Sequence, residues 1–185
     1  CLAPRWLAPR CRRRPGPPLL IALALGSIVT AVPALGAALA REGVAQVRAF
    51  LLEALARRTD LENVRLWHLH LEGAVPFANP AHAGRLRSVS LFTGPSLRPM
   101  VQVGLADFVP IFLSDIPSLF TSGQVRLDAA LVQLSPPDRH GLCTLGTSID
   151  TARAAVDTAG IVLAEINAAM PRTHGHSALP LDGVT

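Results

Sequence analysis

From Glu42 onward, hydrophobic and polar positions switch repeatedly between a helical and an extended period, and the order of those switches predicts the fold. Val44, Val47, Leu51 and Leu55 recur at spacings of three and four, and Glu53 can reach Arg57 one turn later, so residues 43–58 read as an amphipathic helix. Val64 to Leu71 reads as a buried strand. Asn79 and Pro80 start a short helical segment that leads past Arg87 into a strand at Val89–Phe92. A helix follows over Ser96–Val103, with Pro99 a defect inside it and Gly104 suited to the left-handed end position. Phe108–Leu113 is extended and apolar, and Ser114 or Asp115 can cap a helix that ends at Gly123. Ala129–Leu134 is a strand, Ser135–Gly141 a Pro-rich loop, residues 150–159 a helix capped by Asp150, and Ile161–Ile166 a last strand.

Strands that are apolar on both faces, alternating with helices of about ten residues, predict an α/β fold: an open, mostly parallel sheet with helices on both faces. In such sheets ligands sit beyond the carboxyl ends of the strands. The loops after Leu71, Leu113, Leu134 and Ile166 are therefore where chemistry is expected. With 185 residues the chain has room for one such domain. It divides into a leader over residues 1–41, the domain over 42–175 and a tail over 176–185.

Charge separates the leader from the rest. Residues 1–41 hold six Arg and no acidic residue, whereas the remainder sets eleven Arg against thirteen Asp and Glu. A near-neutral body excludes the basic, aromatic-studded stripe of a nucleic-acid binder, so the basicity concerns address. Three readings of the leader stay open. Arg12–Arg14 followed by the apolar run Leu19–Ala40 fits a secretory signal, a membrane span interrupted by Pro33, or an Arg-rich, acid-poor mitochondrial leader. The first residue is Cys, which suggests that the true start lies upstream. Cys1, Cys11 and Cys143 are odd in number, far apart and without zinc spacing, which fits a reducing compartment.

Two clusters invite a chemical reading. His68, His70 and Glu72 alternate along one strand and could face a metal together, but no further ligand is at hand, and a His at a strand end more often satisfies backbone groups. Ser135, Asp138, His140 and Cys143 crowd one loop, yet triad members normally come from separate elements, and no GxSxG, GxGxxG or GxxxxGK[ST] occurs in the chain. The loop itself is better suited to binding. Pro136 and Pro137 stiffen it, Asp138 can brace it, and Gly141 lets backbone approach a ligand closely. In the segment after the last strand, Met170 to Gly175, Arg172 could pair with a carboxylate or phosphate.

Three runs in order, ADFVPIFLSDIP from Ala106, LVQLSPPDRHGLCTLG from Leu131 and EINAAMPRTHG from Glu165, resemble the acetyl-CoA hydrolases and 4-hydroxybutyrate CoA-transferases. The resemblance runs from about Gly43 to Gly175. Val47 and Arg48 stand where the family has a Thr-Pro turn, the family's first strand is replaced by leader-like sequence, and the pattern is lost after Gly175. It implies the first of two fused α/β domains. It also implies a reaction in which a glutamate of the second domain, absent from this chain, carries CoA between an acyl-CoA and a short-chain carboxylate such as acetate. Water in place of the acceptor gives hydrolysis. Catalytic residues are thus expected elsewhere, with neither Glu72 nor Glu165 in that role. Substrate or CoA contacts are expected at Ser135, Pro136, Pro137, Asp138, His140, Gly141, Met170, Arg172, Thr173, His174 and Gly175. No bound cofactor or metal is implied, since the CoA thioester is the substrate. The expected partners are acyl-CoA, a carboxylate and the second domain; in a eukaryote the leader together with the family points to mitochondria, the alternatives being a cytoplasmic or a membrane-anchored protein. The rival readings are a non-catalytic remnant serving as an interaction module, and an α/β protein anchored to a membrane through Leu19–Ala40.

Overall fold

The computed structural model describes residues 19–24, 56–57, 59–60, 62–69, 71, 75–147 and 149–184. Its main sheet is built from β1 (Leu19–Ala24), β2 (Val64–His68), β3 (Leu86–Ser90), β4 (Ala106–Phe108), β5 (Ala129–Leu134) and β7 (Ile161–Ile166). Each of these strands pairs parallel with its neighbours, in the order β4-β3-β2-β1-β5-β7. Among the helices of the described residues are α1 (Arg98–Gln102), α2 (Ile116–Thr121) and α3 (Asp150–Thr158). Two three-residue strands, β6 (Leu142–Thr144) and β8 (Ala178–Pro180), form a separate antiparallel pair.

Alternation along β2 and β5 builds two cores. Ala130, Val132 and Leu134 point to one face, where Ile116 and Phe120 of α2 and Ala152, Ala154 and Ala155 of α3 cover them. Trp67 meets Phe120 edge to face at 6.4 Å and fastens β2 to α2. On the other face Val64, Leu66, Leu86 and Leu131 pack with Phe77 and with Ala56, one of two described helical residues from the expected helix at 43–58. Helices therefore lie on both faces of a parallel sheet. Burying Phe120 alone is worth about 1.5–3 kcal/mol relative to exposing it.

Several element boundaries depart from expectation for identifiable reasons. The strand expected at Val89–Phe92 begins at Leu86 and ends at Ser90, because it must match β2 rung for rung from Val64 to His68. Pro99 is no defect: it occupies the first turn of α1, where its missing N–H has no helical partner to lose. The strand expected over Phe108–Leu113 stops at Phe108; Val109 still donates to Ser90 at 3.0 Å, but Pro110 has no N–H to continue the ladder. Asp115 holds the N-cap position of α2 without a side-chain cap bond, and Asp150 is the first residue of α3 rather than its cap. Gly104 and Gly123 take φ of +75° and +76° just past their helices, the left-handed stops that glycine permits.

The two ends of the chain overturn two expectations. Leu19–Ala24, part of the presumed leader, is the strand between β2 and β5, so this stretch belongs to the sheet and is not a free-standing span. Among the described residues no helix is long and apolar enough to cross a membrane. The rest of Leu19–Ala40 and residues 1–18 lie outside the described residues. The tail is likewise part of the fold: Ala178–Pro180 pairs with Leu142–Thr144, and Ser177 and Leu179 are buried.

Candidate functional site

Chain direction fixes where a ligand can sit. From β1 the chain runs outward through β2, β3 and β4, then returns to place β5 on the other side of β1 with β7 beyond it. The order therefore reverses between β1 and β5, and in open parallel sheets the crevice at the carboxyl ends of such a pair is the natural binding place. The loop Ser135–Gly141 leaves β5 at that point.

Asp138 organises the loop. Its Oδ1 accepts the backbone N–H groups of His140 at 2.8 Å and Leu142 at 2.9 Å, while its Oδ2 receives Arg172 Nη2 at 2.7 Å. Gly141 N–H donates to the Asp138 carbonyl, closing a β-turn with Arg139 and His140 at its tip, and Asp138 N–H donates to Leu142 O. Gly141 follows at φ +74°, which only glycine adopts at no cost. These donors, the Leu142 N–H foremost, hold the Asp138 carboxyl below its ordinary pKa. The expected bracing by Asp138 is thus observed.

Arg172 serves the same loop. Besides Asp138 it donates to Leu142 O at 2.9 Å, so its guanidinium ties the segment Met170–Gly175 to the turn rather than standing free for a ligand. Beneath them lies a chain of hydroxyls. Thr144 donates through both N–H and Oγ1 to Ser135 Oγ, and Thr173 Oγ1 donates to Gly146 O at 2.8 Å and meets Ser177 Oγ at 2.9 Å. Met170 packs against Gly146, where a Cβ would lie 2.6 Å from its sulfur. Pro136, Pro137, His140, His174 and Gly175 remain exposed around this base. The structure thereby brings the two sequence-predicted segments together at one edge of the sheet.

The nucleophile reading does not fit this geometry. Ser135 Oγ is buried and bonded within the hydroxyl chain, while His140 Nε2 accepts from Arg139 Nε at 3.0 Å on the exposed tip. Cys143 is buried, and desolvation raises its thiol pKa, which disfavours the thiolate. The His68, His70 and Glu72 cluster is only partly described. His68 is buried with Nε2 2.7 Å from Ser88 Oγ, His70 and Glu72 lie outside the described residues, and no metal-holding group of three is found among the described residues.

Sequence reasoning missed a buried amide pair at the same edge. Asn167 Nδ2 donates to Gln133 Oε1 at 3.2 Å, and Asn167 Oδ1 accepts Ala169 N–H, fixing the start of the Met170–Gly175 segment. The available signal was a lone Gln in an otherwise apolar strand, since burying an amide requires a partner. Arg153 was missed too: from α3 it donates to Ala178 O at 2.9 Å and pairs with Asp157, clamping β8.

Comparison with known proteins names this arrangement's relatives. The acetyl-CoA hydrolase/transferase N-terminal domain matches residues 36–184, so the family pattern continues past Gly175 and the expected divergence of the tail is corrected. A succinyl-CoA:acetate/propanoyl-CoA:succinate CoA transferase of Fasciola hepatica is 45% identical over 68% of this chain and 26% of its own length. A 4-hydroxybutyrate coenzyme A transferase of Clostridium kluyveri is 33% identical over 72% of this chain and 32% of its own. The chain thus spans about a third or less of these curated relatives. In fold it is similar to RipA from Yersinia pestis, with a TM-score of 0.66, 22% identity and coverage of 90% of this chain and 37% of that one. With the match spanning β2 to β8, the loop and the tail alike, the chain belongs to the acetyl-CoA hydrolase/transferase family and carries its N-terminal domain.

Proposed function

We propose that this chain forms one wall of a site in which CoA passes between an acyl-CoA and a short-chain carboxylate of the acetate type. The observation that carries the reading is the family match over residues 36–184, joined to a braced loop at the reversal of strand order. The nucleophile is a glutamate supplied from outside residues 42–175. Its carboxylate adds to the thioester carbonyl, the C–S bond breaks, and CoA leaves as thiolate from an acyl-glutamyl anhydride. The thiolate then attacks the glutamyl carbonyl, the acyl group departs as its carboxylate, and a glutamyl-CoA thioester remains. The acceptor carboxylate adds to that thioester and the two steps run in reverse, so CoA ends on the acceptor. Each addition places charge on an oxygen that must be stabilised in a site stripped of water.

Within this scheme Ser135, Pro136, Pro137, Asp138, His140 and Gly141, with Met170, Arg172, Thr173, His174 and Gly175, shape the approach of the acyl-CoA and take no covalent part. Asp138 and Arg172 hold the loop in place through each other. Pro136 and Pro137 limit its motion, so little conformational entropy is lost when ligand arrives. The test is to incubate the 185-residue chain with acetyl-CoA and a short-chain carboxylate, then repeat the reaction with the remainder of a full-length relative added. No turnover is expected from the chain alone. Turnover by the chain alone, abolished by changing a carboxylate within residues 42–175, overturns the assignment of the glutamate.

A further inference from the structure

The tip of the Asp138 turn carries a charge that the proposed chemistry has not used. Arg139 is exposed, and its Nε donates to His140 Nε2, which fixes the plane of the guanidinium. Among the described residues neither Nη of Arg139 has a hydrogen-bond partner. The nearby carboxylate does not neutralise it: Asp138 is engaged by Arg172 and by two backbone N–H groups. The turn that presents Arg139 is closed at both ends by backbone bonds, so the fork is held on a rigid base. An exposed, oriented and uncompensated guanidinium matches the paired oxygens of a carboxylate or a phosphate, and of the proposed substrates coenzyme A carries phosphates far from its reacting end.

We propose that Arg139, oriented by His140, takes a phosphate group of coenzyme A, leaving the reactive thioester end to the neighbouring segment Met170–Gly175. This rests on the reading of the loop as an acyl-CoA wall and adds to it the place of the anionic handle. Arg172 is a positioning residue in this scheme and Arg139 the ligand contact, the reverse of what the sequence suggested. Because Arg139 is exposed, the contact weakens as salt is raised.

Backbone amide spectra of the 185-residue chain titrated with CoA, pantetheine and inorganic pyrophosphate test the assignment. CoA is expected to shift the amides at 139–141 and at 170–175, pantetheine only those at 170–175. Arg139→Ala should weaken CoA about fivefold, the size an exposed charged pair supplies, and leave pantetheine unchanged. Arg139→Lys should recover only part of the loss, because it keeps the charge and not the fork. If CoA and pantetheine both shift 170–175 while 139–141 stay still and Arg139→Ala binds CoA as the parent does, the phosphate assignment is wrong and the proposed function stands. If neither shifts either segment, the proposed function fails. Pyrophosphate binding at 139–141 as tightly as CoA, with 170–175 unmoved by either, makes the tip a site for free phosphate and overturns its link to CoA.

Discussion

Asp138 and the glycines near it place a large part of the local order on single residues, and each can be tested. Because the Asp138 carboxyl is held below its ordinary pKa, its contribution to stability is present above the unfolded-state value of about 3.9 and disappears as pH falls through the lower folded-state value. Asp138→Asn should therefore lower the melting temperature at neutral pH, with the gap to the parent closing as the pH drops below about 4. A constant gap across that range would mean that the amide replaces every bond the carboxylate makes. Gly141 and Gly146 both have positive φ, at +74° and +65°, but differ in surroundings: a Cβ at Gly141 meets nothing within 4 Å, whereas one at Gly146 strikes Met170. Gly141→Ala should cost about 1–2 kcal/mol from the left-handed backbone alone, and Gly146→Ala roughly 1 kcal/mol more because Met170 must move. Chemical denaturation of both variants checks the order. A β-branched residue at Gly141 would mix backbone strain with obstruction of the loop, so alanine is the cleaner probe there.

At the scale of elements, the two ends of the chain carry more of the fold than their sequences suggested. Removing residues 1–41 deletes β1 from between β2 and β5, unpairing two inner ladders at once. The expected outcome is loss of soluble, cooperatively unfolding protein. A shortened chain starting at residue 43 that stays soluble and melts in one transition would show that β2 and β5 can close up without it. At the other end, Leu179 of β8 is buried in the core beneath the loop, and Leu181 N–H bonds Gly141 O at 3.0 Å. Leu179→Ala should cost about 2–5 kcal/mol, read from denaturant midpoints. Because β8 holds β6, and β6 begins where the Asp138 turn ends, the same change should also speed proteolysis at residues 139–141.

For the whole molecule, the sequence by itself determined the class of fold and the family. The apolar runs at Ala129–Leu134 and Ile161–Ile166 and the helical repeat between them were legible because their periods are set by neighbours a few residues away. The three ordered motifs led to the family for a similar reason, being contiguous. Other features depend on partners distant in sequence and so had no local signal. Leu19–Ala24 opens the longer apolar run Leu19–Ala40 and so could not be told from part of a targeting segment or a span; only pairing with Val64–His68 and Ala129–Val132 makes it the middle of a sheet. Strands β6 and β8, three residues each, are too short to display a period of two. Arg172 read as a free cation because its partner, Asp138, lies 34 positions earlier, and Arg139 passed unnoticed because its freedom follows from that pairing. Periodicity is a local property and was readable along the chain. Strand order, its reversal between β1 and β5, and which charges are paired there are properties of long-range contact, and the tertiary structure alone decided them.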